Sequence, residues 1–526
     1  MSRGDVFDGL PAELADALIE SRWADALAIT DVLIGDAPSN ARLWFVRGVL
    51  LRQAWRMDDA MDAYERAIGL GYDGSGPYRE LFQHLEKRGR IDEALSCWRL
   101  AFERGHSNAR FASLALDALL KDPDATGHDL MQAHRAWAES FAQPDPSIPP
   151  LPVMPFDGSR PLRVGYVCSF WEAPTIRFML LPVLKRHDPQ RVNAYLYLSG
   201  PLRMGETWRE LYEPHVAAVR EIDRLDDKAF VALARADNID VLIDLNGQSG
   251  FQRYAAMASR CAPVQATYLN YTSTTAVENI DYVIGDACSP PKGTEGDFTE
   301  RVERLPGCFF CFDYRDDPLL PPVAPVPSLR AGAITFGCFG AGTKINALLI
   351  GWWCEILARV PDATLLIRNF EMSPEDNRRA LRRQFVDHGI DGDRIRLMGK
   401  GTRHDVVRTY AEVDVALDTY PYCGGNTTAE ALWQGVPVVT LRGPRFSSSY
   451  GASLLRGAGC PELIATTPEE YIDLAVALAG DRSRLLDYRG CLRSMVVEHG
   501  LGNADIFTPQ FEDALIAMRK RAGAPA

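Results

Sequence analysis

One segment decides how the second half of the chain folds: Leu417-Asp-Thr-Tyr-Pro-Tyr-Cys-Gly-Gly-Asn-Thr-Thr-Ala-Glu-Ala-Leu-Trp-Gln-Gly-Val-Pro-Val-Val-Thr440. Its pattern indicates a buried strand that ends near Asp418, a glycine turn, a helix and a second strand. Glycine lets the backbone approach a ligand closely, and we expect the hydroxyl residues Thr427 and Thr428 to cap the helix. The free N–H groups and dipole of a helix N-terminus favour a phosphate. The segment therefore predicts an α/β unit with an anion site, and an ordinary capped helix is the alternative.

The same alternation of short apolar runs and helical patterns extends through the chain from about residue 160. Strands are predicted at 162–167, 192–198, 241–245, 280–284, 334–339, 364–367, 395–398, 413–417 and 437–441. Runs that are apolar throughout indicate parallel strands covered by helices on both faces. Two doubly wound, Rossmann-like α/β domains are expected, with ligands at the carboxyl ends of their strands and in the cleft between them. Neither G-x-G-x-x-G after the first strand nor a P-loop motif occurs, which disfavours NAD enzymes and P-loop NTPases.

The first 142 residues contain an internal repeat. Ala26, Ala60 and Ala94 occupy the same position in three copies spaced 34 residues apart, and an aromatic residue follows four positions later at Tyr64 and Trp98. A small alanine lets paired helices approach, and the aromatic ring fills the adjoining hollow. Three copies in register favour tetratricopeptide repeats over a generic helical bundle. Such repeats stack into a superhelix that usually holds extended peptides, so this region predicts a protein partner.

Two proline-rich segments divide the chain, one at 144–155 with six prolines and one at 318–327 with five. Prolines at this density act as semi-rigid connectors. The predicted domains are an all-α repeat domain (1–142), a linker (143–161), a first Rossmann-like half (162–316), a second linker (317–332) and a second half with a terminal helix (333–526).

Composition excludes several classes of function. The 526 residues carry a formal net charge of −13 and no dense Lys/Arg run, which disfavours nucleic acid as a partner. No apolar stretch approaches the roughly 20 residues that span a bilayer, and the acidic N-terminal residues do not resemble a signal peptide. The eleven cysteines are scattered, and the close pair Cys308 and Cys311 has no second pair nearby to complete a zinc site. We expect a cytoplasmic protein without a bound metal.

Taken in order along the chain, these motifs resemble the O-GlcNAc transferase and SPINDLY family of protein O-glycosyltransferases. The matching stretches are 162–167, 244–247, 262–265, 280–282, 336–346, 417–440, 451–456 and 460–464. The resemblance implies a GT-B fold, with the second half as the nucleotide-sugar-binding half, preceded by tetratricopeptide repeats. It also implies an inverting, metal-independent reaction without a cofactor. In that reaction a sugar, GlcNAc from UDP-GlcNAc as the first expectation, moves to Ser or Thr of an acceptor protein that the repeats select.

The resemblance also assigns site residues. Lys344 matches the lysine that neutralises the donor's diphosphate, and Glu430 matches the acidic ligand of the ribose. The phosphate-binding turn corresponds to Gly425, Asn426, Thr427 and Thr428. A lysine and a helix N-terminus together can stabilise a leaving nucleotide without a metal. The alternative for Lys344 is a solvated charge after a strand.

Some positions depart from the family's pattern, all on the expected sugar and acceptor side. Ala173 stands where the family has a histidine lining the active site, Gln248-Ser249 replaces a His-Thr pair, and Val406 stands where a later histidine is expected, with His404 two positions away. The turn that reads Leu-Gly-Tyr-Pro in the family is Leu269-Asn-Tyr-Thr272 here. No general base is assigned: His404, Asp286 and Tyr271 are conceivable, and each is better explained as structural.

These departures leave three hypotheses open. The first is the transfer of GlcNAc; the second keeps the chemistry with another donor, such as GDP-fucose or a CMP-nonulosonic acid, as in bacterial relatives that decorate flagellin. The third is a degenerate scaffold that only binds partners, which the retained Lys344 and Glu430 disfavour. Short repeat arrays often self-associate, so a homo-oligomer is also possible.

Overall fold

The structure is a computed structural model that describes residues 10–200, 207–248, 250–317 and 320–523; Ser249 lies outside the described residues. The described part of residues 10–142, called the repeat block below, forms eight α-helices. They are α1 (Ala12–Ile19), α2 (Trp23–Asp36), α3 (Ala41–Gln53), α4 (Met57–Gly69), α5 (Gly76–Lys87), α6 (Ile91–Glu103), α7 (Ala109–Leu119) and α8 (Gly127–Phe141).

The repeat positions pack as the sequence predicts. Ala26, Ala60 and Ala94 are each 0% exposed, and each lies near the start of the second helix of a pair. Gly48 allows the closest approach: a Cβ atom there would lie 2.4 Å from Cε1 of Tyr64. The aromatic ring therefore fills a hollow that only a residue without a side chain leaves open.

The first half (162–316) is built on a seven-stranded sheet in which every pair is parallel, in the order β3-β2-β1-β4-β5-β6-β7. Its strands are β1 (Leu162–Cys168), β2 (Val192–Leu198), β3 (Ala218–Glu221), β4 (Val241–Asp244), β5 (Val264–Thr267), β6 (Tyr282–Asp286) and β7 (Arg301–Leu305). Its helices are α9 (Leu181–Leu184), α10 (Thr207–Tyr212), α11 (Asp227–Ala236) and α12 (Tyr254–Ala258). The four predicted strands are present. The sequence analysis does not predict the other three strands: the edge strands β3 and β7 carry charged residues, and the central strand β5 has only four residues, with Gln265 among them, so none of the three presents an apolar run.

The second half (333–523) has a six-stranded parallel sheet in the order β10-β9-β8-β11-β12-β13. Its strands are β8 (Thr335–Cys338), β9 (Thr364–Arg368), β10 (Ile395–Met398), β11 (Val415–Leu417), β12 (Val438–Leu441) and β13 (Ile464–Ala465). The helices from the second linker onward are α13 (Ser328–Ala331), α14 (Ala347–Arg359), α15 (Glu375–Asp387), α16 (Arg403–Thr409), α17 (Asn426–Trp433), α18 (Phe446–Gly457), α19 (Pro468–Gly480), α20 (Arg482–Glu498) and α21 (Ala504–Ala522). All five strands that the sequence predicts here are present.

The terminal helix α21 crosses back to the first half. Its Glu512 accepts hydrogen bonds from the Asp188 backbone N–H at 2.9 Å and from the His187 ring at 3.0 Å, and Arg521 pairs with Glu303 on β7. The helix therefore joins the two halves, although the chain order places it after the second. Within the described ranges, no helix is both long and apolar enough to cross a membrane.

The repeat block packs against both halves. Trp137 of α8 meets the Tyr254 ring of the first half edge-on, with ring centres 5.9 Å apart. On the second half, Arg445 donates a hydrogen bond to the carbonyl oxygen of Ala125 at 2.7 Å. Gly89, at the end of α5, lies so close to the second half that a Cβ atom there would stand 2.1 Å from the Ile345 carbonyl oxygen. The repeat block thus borders the cleft between the halves.

Candidate active site

A cavity of about 270 Å³ lies in the cleft between the two halves. Thr175, Asn270 and Thr272 line it from the first half, and Lys344, Tyr422 and Thr427 line it from the second half. Strands β8 and β11 are neighbours in the second sheet. From β8 the chain continues to β9 on one side of this pair, and from β11 it continues to β12 on the other side. Lys344 and Thr427 lie on the segments that follow the carboxyl ends of β8 and β11, so the cavity lies at the topological switch point where α/β sheets bind ligands.

Lys344 projects into this cleft from a short 3₁₀ turn, Gly342–Lys344, after β8. Its Nζ donates a hydrogen bond to the carbonyl oxygen of Cys423 at 2.7 Å and lies 4.1 Å from the centre of the Tyr422 ring. Desolvation lowers the pKa of Lys344 to about 8, and the nearby carboxylate of Asp418 partly opposes that shift. The ammonium is therefore held at the cavity wall in partly desolvated surroundings, where it would attract an incoming anion.

The phosphate-binding turn predicted from the sequence lies next to Lys344 on the second-half wall of the cavity. Gly425 is the residue that precedes α17, and no side chain caps the helix there, so the prediction that Thr427 and Thr428 act as caps is wrong. Both threonines lie in the first turn of the helix, and their hydroxyls fold back onto Gly424, where a Cβ atom would stand 2.6 Å from Oγ1 of Thr427. The N–H of Ala429 makes the first intrahelical bond, to Gly425. The earlier N–H groups therefore have no intrahelical acceptor.

Asp418, which the sequence analysis did not assign a role, organises this turn. It follows β11 directly and is buried; one carboxylate oxygen accepts the Gly424 N–H at 2.6 Å, and the other accepts the Thr440 hydroxyl at 2.7 Å. Burial raises the pKa of Asp418, and these donors together with Lys344 oppose the rise. The signal in the sequence is an acidic residue placed directly after a fully apolar strand.

Glu430, predicted to bind the ribose, lies on α17 with its carboxylate buried beside two tyrosines. The Tyr314 hydroxyl donates to one oxygen at 2.8 Å and the Tyr410 hydroxyl to the other at 3.4 Å. Burial raises the pKa of Glu430, and the hydrogen bond from Tyr314 lowers it. Glu430 is not among the residues that line the 270 Å³ cavity, so its role as a ribose ligand stays a prediction.

A hydrogen bond joins the two halves across the cavity. The side-chain nitrogen of Asn426 donates to the Thr175 hydroxyl at 3.0 Å. Thr175 follows Ala173 in the loop after β1, so the loop that lacks the family's histidine reaches the first turn of α17. The Asn426 side-chain oxygen is buried and accepts no hydrogen bond from the described residues.

The three conceivable bases do not line the cavity. The Tyr271 hydroxyl donates to the ring of His134, and Asp286 is buried and accepts the N–H groups of Cys288, Ser289 and Phe309. His404 is exposed on α16, beside a separate cavity of about 790 Å³.

Comparisons with known proteins agree with this geometry. The profile described as Glycosyl transferase family 41 matches residues 154–319 and 326–511, which together include both sheets and the residues that line the cleft cavity. The chain belongs to glycosyl transferase family 41. The family match and the two parallel sheets behind a helical block confirm the predicted family and the GT-B fold.

A solved structure resembles this family 41 chain over nearly its full length. A lysine-to-methionine variant of the O-GlcNAc transferase of Thermobaculum terrenum superposes with a TM-score of 0.84 and 29% identity, and the match covers 97% of each chain. The superposition therefore extends over the repeat block and both halves of this chain.

Curated relatives of this family 41 chain include plant and animal proteins. One is named as a probable UDP-N-acetylglucosamine–peptide N-acetylglucosaminyltransferase SPINDLY from Arabidopsis thaliana, 30% identical over 406 residues, which are 74% of this chain and 43% of the relative. Another is the UDP-N-acetylglucosamine–peptide N-acetylglucosaminyltransferase of Caenorhabditis elegans, 26% identical over 69% of this chain and 41% of the relative. The chain therefore spans about two fifths of the length of these relatives.

Proposed function

We propose that this chain is a protein O-glycosyltransferase that moves GlcNAc from UDP-GlcNAc to Ser or Thr of an acceptor protein. The observation that carries the proposal is that Lys344 and the first turn of α17 line one cavity between the two halves. The names of the curated relatives and of the solved structure supply the donor and the class of acceptor.

The chemistry follows from the charges that face the cavity. When the glycosidic bond breaks, negative charge gathers on the leaving nucleotide diphosphate. Lys344 and the N–H groups that begin α17 can stabilise this charge, because both face the cavity and need little rearrangement as the charge develops. The interaction strengthens as charge develops, so it favours the transition state over the bound donor. Independence from divalent metals is part of the proposal, since these two groups can do what a metal ion does elsewhere.

The acceptor side of the proposal concerns the repeat block. A groove of about 550 Å³ lies between α6, α7 and α8, lined by aromatic side chains that include Trp98, Phe102 and Trp137. Phe102 is 59% exposed. A large apolar groove lined by aromatic rings, one of them exposed, suits a polypeptide ligand, which supports acceptor selection by the repeats.

Another donor sugar is the second candidate. Ala173 brings no imidazole to the loop that contacts α17, and Gln248 turns its side-chain oxygen toward Ser113 of the repeat block. Both positions lie on the side expected to hold the sugar and the acceptor, whereas the nucleotide side keeps the family's residues. GDP-fucose or a CMP-nonulosonic acid would retain the same use of Lys344.

Calorimetric titration of the purified chain with UDP, GDP and CMP tests these candidates together. The proposal predicts that UDP binds at least tenfold more tightly than GDP or CMP. Tighter binding of GDP or CMP than of UDP would favour the other donor sugars. If none of the three nucleotides binds, the scaffold hypothesis is favoured. A Lys344→Met variant serves as the negative control, and Lys292→Met, at an exposed lysine, serves as the matched positive control.

A further inference from the structure

The loop after β5 forms part of the cavity wall on the first half. Leu269, Asn270 and Thr272 line the cavity, whereas Tyr271 between them points away from it and is only 3% exposed. The Tyr271 hydroxyl meets Nε2 of His134, which lies on α8 of the repeat block. A side chain from the repeat block thus holds the residue at the centre of this loop.

The direction of that hydrogen bond follows from the other ring nitrogen of His134. Its Nδ1 lies 2.6 Å from the carbonyl oxygen of Leu130, which can only accept, so Nδ1 carries the proton. Nε2 is therefore a bare acceptor, and Tyr271 donates to it. Burial lowers the pKa of His134 to about 4, so the ring stays neutral near pH 7. The interaction is a single, fully defined hydrogen bond between buried groups.

Apolar packing surrounds this pair. Leu120 and Leu130 of the repeat block are buried against Tyr271, and Tyr422 of the second half packs on the same cluster. Tyr422 is also the ring over which the Lys344 ammonium lies. The contact between the repeat block and the wall therefore continues to the phosphate side of the cavity.

A second loop is held in the same way. The Ser113 hydroxyl of α7 donates to the side-chain oxygen of Gln248 at 2.8 Å, in the loop after β4. The two loops contact each other directly. The Asn270 side chain donates a hydrogen bond to the Leu245 carbonyl oxygen at 2.6 Å. Gly247 has a φ of +58° and lies so close to Tyr271 that a Cβ atom on Gly247 would stand 2.2 Å from the Cβ atom of Tyr271. Each loop thus supports the other and is bonded to a repeat helix.

We propose that the repeat block positions the active site: His134, acting through Tyr271, holds the loop after β5 that lines the cavity, and Ser113, acting through Gln248, holds the neighbouring loop that supports it. The inference rests on the proposed function, because it assigns this wall to the approach of the acceptor hydroxyl. The repeat block then has two roles, the selection of the acceptor and the shaping of the wall that the acceptor meets. His134 and Tyr271 are positioning residues, since neither touches the cavity.

The test uses the full chain with Tyr271→Phe, which removes only the hydroxyl. Tyr166→Phe is the matched control, because the Tyr166 hydroxyl is bonded to the ring of His187 at 3.0 Å in the same half but beside α21. With UDP-GlcNAc and a library of Ser/Thr peptides, we expect kcat/KM for transfer to fall about tenfold in Tyr271→Phe, the effect of one lost buried hydrogen bond. UDP affinity should change by less than about twofold in both variants, since the phosphate side is intact.

Hydrogen exchange of the amides in residues 268–276 supplies a readout that does not need activity. Exchange should accelerate at least about tenfold in Tyr271→Phe and stay unchanged in Tyr166→Phe. If Tyr271→Phe transfers sugar and exchanges these amides at the same rates as the wild type, the inference is wrong. No transfer by the wild type would instead contradict the proposed function, and the exchange data would still decide whether His134 holds the loop.

A double-variant cycle guards against a general loss of folding. If His134 and Tyr271 act through one hydrogen bond, adding His134→Leu to Tyr271→Phe should lower transfer no further than the more affected single variant. Additive losses would show that the two residues act separately and would contradict the proposal.

Discussion

Replacing Lys344 by methionine removes the charge but keeps the length of the side chain beside Tyr422. With a pKa of about 8, Lys344 is about nine-tenths protonated at pH 7 and about one-tenth protonated at pH 9. A bound diphosphate favours the charged form, so binding above pH 8 must take up a proton. The affinity of the wild type for UDP should therefore fall above pH 8, by up to about tenfold per pH unit.

The size of the effect follows from the contact that is lost. A charge-assisted contact to phosphate contributes about 1.5–3 kcal/mol, so Lys344→Met should weaken UDP binding roughly ten- to 150-fold at pH 7. The affinity of Lys344→Met for UDP should stay the same between pH 7 and 9, because this variant lacks the lysine that titrates in that range. Turnover should fall by a larger factor than affinity, since the contact strengthens in the transition state. Lys344→Arg should restore little, because a planar guanidinium does not reproduce a compact ammonium.

The same substitution should stabilise the chain without nucleotide. The folded pKa of Lys344 lies below its unfolded value of 10.5, so the charged form is penalised in the folded state. That penalty is fully present below pH 8, is of the order of 3 kcal/mol, and disappears as the pH rises toward 10.5. Lys344→Met should therefore melt at a higher temperature than the wild type at pH 7.

Isothermal titration calorimetry with UDP across this pH range and thermal melts without ligand measure both effects. Lys292→Met controls for the loss of a lysine from the exposed surface. A Lys344→Met protein that binds UDP as tightly as the wild type, with the same pH profile, would refute the assignment of Lys344 to the phosphate.

Three further predictions concern the metal, the border with the repeat block and the ribose. Transfer activity should stay within about twofold in excess EDTA, and a strict requirement for Mn²⁺ or Mg²⁺ would contradict the roles given to Lys344 and α17. Gly89→Ala should lower turnover about tenfold, because the new Cβ would collide with the Ile345 carbonyl oxygen next to Lys344. Gly105→Ala is the control: Gly105 has a similar positive φ but open space around it, so we expect normal turnover. Equal losses of turnover in the two variants would mean that backbone strain alone causes the effect. If the Glu430 carboxylate binds ribose, Glu430→Gln should weaken UDP binding about tenfold and leave pyrophosphate binding unchanged. Equal losses of affinity for both ligands would mean that Glu430 acts only through its packing beside Tyr314.

Local patterns predict much of this structure. The period that aligns Ala26, Ala60 and Ala94 predicts the helix pairs, because a repeat is visible in the sequence itself. Fully apolar runs predict the other central strands for the same reason, but not β5, whose four residues include Gln265. The placement of Lys344 and Thr427 on one cavity also follows, since both come after neighbouring strands whose carboxyl ends meet at one edge.

Contacts between distant segments could not be predicted in this way. The hydrogen bond of His134 with Tyr271 joins residues that are 137 positions apart, and the sequence around either residue does not indicate the other as its partner. The apolar face of α21 shows that the helix packs against something, but not that it returns to the first sheet. The capping prediction failed because the threonine hydroxyls turn back over Gly424, a conformation that depends on Asp418 and on the strand before it.

The measurement that tests the central claim most directly is transfer itself. The wild-type chain and Lys344→Met would each be incubated with isotope-labelled UDP-GlcNAc and a library of Ser/Thr peptides, and the modified residues mapped by mass spectrometry. The proposed function predicts labelled GlcNAc on Ser or Thr side chains with the wild type and none above background with Lys344→Met. Absence of label with the wild type, under conditions in which calorimetry shows that UDP is bound, would contradict it.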